Sequence, residues 1–101
     1  MKDYLIYMRS IVARRCAELR ELDIEAIRAL PGYSPDASIY DDKVRCGVHH
    51  KLTPAGQHIV VAQAVRDSWF GMAYAVQLDG LAIEPDGTRR ELAENEKWEH
   101  D

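Results

Sequence analysis

The side chains of this 101-residue chain best suited to chemistry are Cys46, His49, His50 and His58. A thiol, two adjacent imidazoles and a further imidazole supply the sulfur and nitrogen donors that zinc takes, and Asp41 or Asp42 would add an oxygen. The spacing fits no structural zinc pattern, and no second cysteine pair supports it. Adjacent histidines in an extended loop also point in different directions, which works against both serving one ion. A Cys46–His49 nucleophilic pair would need a depressed thiol pKa and an orienting third group. Nothing in the chain supplies an oxyanion hole, a substrate pocket or a glycine-rich phosphate loop. The expectation is a non-enzymatic protein without metal or cofactor. A small metal-binding protein or enzyme using Cys46, His49, His50 and His58 is one alternative.

The totals narrow the class further. At this length one domain is expected, with limited burial that dimerisation would extend. The net charge of −4 is unevenly placed: residues 84–101 are strongly acidic, whereas residues 1–30 are close to neutral. No patch is basic enough for phosphate-backbone binding, so a nucleic-acid partner is not expected. Two cysteines make no disulfide framework, nothing at the N-terminus resembles a signal peptide, and no apolar run reaches the roughly 18 residues of a membrane span. These features point to the cytoplasm and to no membrane association.

The elements that would position any site follow from the spacing of apolar residues. Over residues 3–30, Leu5, Met8, Val12, Cys16, Leu19, Leu22 and Ala26 keep helical steps. Asp23 is placed to cap a short second helix, and Pro31-Gly32 stops it. Residues 31–52 read as an irregular loop. Residues 53–80 read as a long helix, with Thr53 as N-cap, Pro54 in the first turn and Gly80 at its end. Val61, Val65, Trp69, Met72 and Val76 form its apolar face. A competing reading ends that helix near Gly71 and makes residues 72–84 a short hairpin turning at Asp79-Gly80. Pro85-Asp86-Gly87-Thr88 is a turn, and residues 89–101 are an acidic, mobile tail. The fold class predicted is a mainly α single domain over residues 1–101, with a long N-terminal helix, a long second helix and at most a short C-terminal β-hairpin.

On that helix Phe70 and Tyr74 lie with Gln63 and Gln77 away from the apolar face, an aromatic patch with a polar rim suited to binding another protein. The N-terminal stripe runs longer than a domain of this size needs, which assigns Leu5, Met8 and Val12 to a homodimer interface. Cys16 is expected to be buried and slow to react, and Cys46 in its loop to react quickly. Around residues 51–65 the chain resembles, at Leu52, Thr53 and Gly56, the segment that opens the last helix of MarR-type winged-helix regulators, and the resemblance implies a DNA-binding alternative. Over its full length the chain resembles the QslA-type quorum-sensing anti-activators in size, acidity and helix order. That resemblance carries no motif. It implies a regulatory protein that binds a LuxR-type transcription factor and blocks its dimerisation.

Overall fold

A computed structural model of the chain describes residues 4–35, 44–67 and 73–97. Its architecture is a five-stranded antiparallel meander with one long helix across it. Helix α1 (Tyr4–Glu21) is followed by the short α2 (Ile24–Arg28). Asp23 caps α2 as the spacing predicts, its carboxylate accepting the Ala26 N–H at 2.8 Å. Strands β1 (Tyr33–Pro35), β2 (Val44–Leu52), β3 (His58–Asp67), β4 (Ala73–Ile83) and β5 (Arg89–Glu91) pair in sequence order. A last turn of helix, α3 (Glu94–Lys97), closes the described chain. Among the described residues no helix is long and apolar enough to cross a membrane.

This overturns the mainly α expectation. The long helix over residues 53–80 is two paired strands, β3 and β4, and the irregular stretch of residues 31–52 contains β1 and β2. The competing hairpin is also displaced, because β4 runs straight through Asp79 and Gly80 to Ile83. The physical reason lies in β3. Ile59, Val60, Val61, Ala62 and Ala64 are all buried, so the strand is covered on both faces and reads as a continuous apolar run. Such a run has no alternation to distinguish it from a buried helix.

The register divides the sheet into an inner face under α1 and an outer face. Val44, Cys46, Val48, Val60, Ala62, Ala64, Leu81 and Ile83 point inward and pack with Met8, Ile11, Val12, Leu19 and Ile27. Alanines at 62 and 64 leave room for α1, which lies over β3 and β4. Ile59, Val61 and Ala82 point outward, where Leu92 covers them after β5. Arg89 ties sheet to helix, its Nη1 donating to the Arg20 carbonyl at 2.6 Å and its Nη2 to that of Leu22. A cation thus satisfies the open carbonyls at the C-terminus of α1.

Two turns with the same grammar set the register. In residues 53–57, Thr53 N–H donates to the Gln57 carbonyl and Gly56 N–H to the Thr53 carbonyl, at 2.8 and 2.9 Å, with Gly56 at φ 85. In residues 84–88, Glu84 N–H donates to the Thr88 carbonyl and Gly87 N–H to that of Glu84, both at 2.8 Å, with Gly87 at φ 92. Each is a three-residue hairpin loop with proline entering and a left-handed glycine leaving. Thr53 and Pro54 therefore begin a turn where a helix cap was expected, and the likeness to the MarR-type segment at Leu52, Thr53 and Gly56 falls on this turn. Gly80, by contrast, has no positive φ. A side chain there would run into the Val60 carbonyl and Leu92, so close approach of chains is what demands glycine.

Burial revises two expectations about α1 and the thiols. Met8 and Val12, at 0 and 5% exposure, are closed off by the chain's own sheet, while Leu5 is 45% and Ile6 65% exposed. Cys46 is buried on the inner face like Cys16, and both are free thiols. Both cysteines should therefore label slowly with a thiol reagent in the native protein and quickly in denaturant. Leu19→Ala should cost about 2–5 kcal/mol in a urea titration, whereas Ile6→Ala should stay within about 0.5 kcal/mol. Fast native labelling of Cys46 would mean that the inner face is not closed.

Candidate functional site

The strand alternation of β2 separates the residues that looked like one chemical cluster. Cys46 and His50 face inward and His49 outward, because the side-chain period of a strand is two. His58, at the start of β3 on the inner face, meets only His50 of the set. Among the described residues no group of three or more His, Cys, Asp or Glu side chains is placed to hold a metal ion. Asp41 and Asp42 lie outside the described residues.

His50 and His58 form a pair of their own. Their rings stack 5.1 Å apart at 12°, with His50 Nε2 and His58 Nδ1 2.9 Å apart. The Leu30 carbonyl can only accept, so the His50 Nδ1–H donates to it at 2.9 Å. In the neutral pair the bare His50 Nε2 then accepts from the His58 Nδ1–H. The His50 backbone N–H also donates to the Gly32 carbonyl at 3.0 Å. One residue thus fastens the chain leaving α2 to the sheet at two points. Burial first, then the charges of His50 and Arg28, push the His58 pKa below its usual value.

The outer face holds the more open arrangement. Tyr33 of β1 lies opposite His49 of β2, their ring centroids 4.8 Å apart. The Tyr33 ring covers Gly47 so closely that a Cβ there would stand 2.5 Å from it. His49 Nε2–H donates to Gln63 Oε1 at 2.6 Å. Arg45 and Val65, paired in register, extend the same surface to complete a shallow depression of about 260 Å³ lined by Tyr33, Arg45, Gly47, His49, Gln63 and Val65. Val76 and Leu78 adjoin it across the register from Val65 and Gln63, and both are half-buried.

The other end of the outer face is closed by a clasp. Gln57 Nε2 donates to both Glu84 oxygens at 3.1 and 3.0 Å, and Arg90 Nε donates to Glu84 at 2.7 Å. Arg90 then grips Glu96 of α3 with two parallel bonds of 2.7 and 2.8 Å. The Gln57 bond, followed by that of Arg90, holds the Glu84 carboxyl below its usual range, and Arg90 brings Glu96 down to about 2. The segment expected to be a mobile tail thus includes β5 and α3, tied over the sheet. Residues 98–101 lie outside the described residues.

The predicted protein-binding residues do not share a face. Gln63 points outward to His49, whereas Gln77 points inward and accepts from Arg9 Nε at 3.4 Å. Tyr74 lies in β4, and Phe70 and Trp69 fall outside the described residues. Strand pairing brings Tyr33, Arg45 and His49 to Gln63 out of residues 31–52, which read as loop in the sequence, and Val65 out of the segment that reads as helix. The alternation of Arg45, Gly47, His49 and Lys51 with Cys46, Val48 and His50 was the available signal.

The His50–His58 pair generates a pH dependence. Its lowered pKa means that folded His58 binds fewer protons than unfolded His58 below about pH 6.5. That contribution to stability is fully present above pH 6.5 and is lost as the pH falls toward the folded-state value. The urea midpoint should drop on acidification from pH 7.5 to 5.5, and His58→Gln should flatten the slope. An unchanged slope in that variant would remove His58 as its source. Compared with known proteins, the chain matches no family model, no curated protein and no solved structure.

Proposed function

We propose that this protein is a non-enzymatic regulator that acts by binding another protein with the open part of its outer sheet face. The observation that carries the reading is the unequal cover of that face. Leu92 and α3 close the end at Ile59, Val61 and Ala82, while the Tyr33, Arg45, His49, Gln63 and Val65 end has a shallow, exposed floor. Small-molecule sites are commonly deeper, about 300–1,000 Å³, and enclose most of their ligand. A broad floor with a tyrosine, an arginine and apolar neighbours is better matched to a macromolecular surface. The anti-activator form of the reading, with a LuxR-type transcription factor as partner, keeps the support of chain size and acidity and loses that of helix order. The reading extends to a cytoplasmic setting, supported by two cysteines that are buried and unbridged.

The test removes the hydrogen-bonded pair at the centre of the floor. His49→Ala with Gln63→Ala takes out both partners together, so neither is left unsatisfied, and the melting temperature should move little. A partner co-purified from native cells by the wild type should bind the double variant about thirtyfold more weakly, the equivalent of one hot spot of about 2 kcal/mol. Equal retention of the partner by both proteins would place the binding surface elsewhere.

A further inference from the structure

The sheet protects its edges unequally. At one side β1 is three residues long and contains Pro35, and β2 beyond it carries Lys51. At the other side β5 is three residues long and consists of Arg89, Arg90 and Glu91. Short strands, proline and charge are the usual guards against edge-to-edge pairing. Strand β4 has eleven residues, and β5 pairs only with Leu81, Ala82 and Ile83. Over residues 73–80 its outer edge meets no strand among the described residues, and Asp79 is the one charged residue there. After β5, Leu92 packs beside Gly80, and the Arg90–Glu96 bonds carry α3 toward the outer face.

The direction of the backbone groups follows from the closed turns. Glu84 and Thr88 exchange the hairpin bond, so by antiparallel alternation the even residues of β4 direct their N–H and C=O away from β3. The Thr53–Gln57 closure gives the same result through β3. The Gly80 N–H is already taken by the Asp79 carboxylate at 2.8 Å. The outward groups of Val76 and Leu78 meet no strand partner among the described residues.

We infer that this edge is a self-association site, at which β4 of one copy pairs antiparallel with β4 of a second copy about a two-fold axis at Gln77. Gln77 is the centre because it lies between Val76 and Leu78, whose outward groups then face one another across the axis. In this register Val76 of each copy exchanges two hydrogen bonds with Leu78 of the other. Their side chains then meet on one face as apolar cross-strand pairs. Asp79 falls opposite Ala75, so no like charges meet. A self-complementary register is what an isologous dimer needs and a foreign strand does not provide, and it joins two meanders into one ten-stranded sheet. The inference stands independently of the outer-face binding reading.

Sedimentation of the wild type should show a dimer at micromolar concentration. Val76→Pro removes an outward N–H without touching the β3 ladder, and Val76→Lys adds an edge lysine. Each should weaken dimerisation by about tenfold or more, with the circular dichroism of the sheet retained. Ile6→Ser, on the exposed face of α1, should leave the dimer intact. Register is tested by oxidation. Across a two-fold, non-hydrogen-bonded pair the Cα atoms stand about 4.5 Å apart, within disulfide reach, so Gln77→Cys should cross-link. Ala75→Cys, separated from its copy by about four residues or 13 Å, should not, and the wild type with its buried thiols is the blank. A monomeric wild type would overturn the inference. So would a dimer lost in Ile6→Ser but kept in both Val76 variants, or equal cross-linking at positions 75 and 77.

Discussion

The structure depends on β3 being paired on both sides and covered on both faces. Its nine-residue pairing with β2 and its longer pairing with β4 leave it no free edge. Val60, Ala62 and Ala64 lie beneath α1, and Ile59 and Val61 lie beneath the segment that carries Leu92. Where both faces are covered, at residues 59–62, the strand is apolar without a break, and every other element is placed relative to it. Helix α1 spans β3 and β4 because the small side chains at 62 and 64 allow it close. The N-terminal stripe is as long as it is because it closes the inner face.

The same enclosure explains what the sequence conceals. Alternation marks a strand only when one face is wet, and β3 has no wet face at its centre. Alanines at 62, 64, 73 and 75 then tilt local propensity toward helix, although tertiary pairing decides the outcome. Where the chain is half-exposed its structure was legible. The three- and four-residue steps of α1, the Asp23 cap and the stop at Pro31-Gly32 all follow from local rules. So did the opposed directions of His49 and His50, and that alternation, carried along β2, would have revealed the strand and the outer-face floor. The floor itself was legible only at Gln63.

The two turns show how context outweighs a local signal. Thr53-Pro54-Ala55-Gly56-Gln57 and Glu84-Pro85-Asp86-Gly87-Thr88 fold alike, with glycine at the left-handed position in both. The second was legible as a turn because polar residues follow it. The first reads as a helix start because an apolar run follows it, and threonine before proline suits a helix cap equally well. The position of glycine distinguishes them, since a left-handed residue two places after the proline ends a hairpin loop and would interrupt a helix. The turns also lie side by side, with Gly56 beside Pro85 and Gln57 bonded to Glu84.

That neighbourhood gives the molecule a polarity along its strands. At the turn end, Gln57, Glu84, Arg90 and Glu96 form one hydrogen-bonded chain that ties two hairpins and α3 together. At the other end, the outer face carries Tyr33, His49 and Gln63 without a covering element in the described chain, and β4 extends beyond the reach of β5. A charged clasp is well suited to the first end because exposed ion pairs contribute most when they form a connected, bidentate network. The open end has the opposite composition, few charges and half-buried apolar residues beside a strand edge that meets no partner strand among the described residues. Surfaces of that kind gain most from being covered, since burial adds apolar contact and satisfies backbone groups together. The division of the sheet into a clasped end and an uncovered one is therefore the feature that connects this fold to association with other chains.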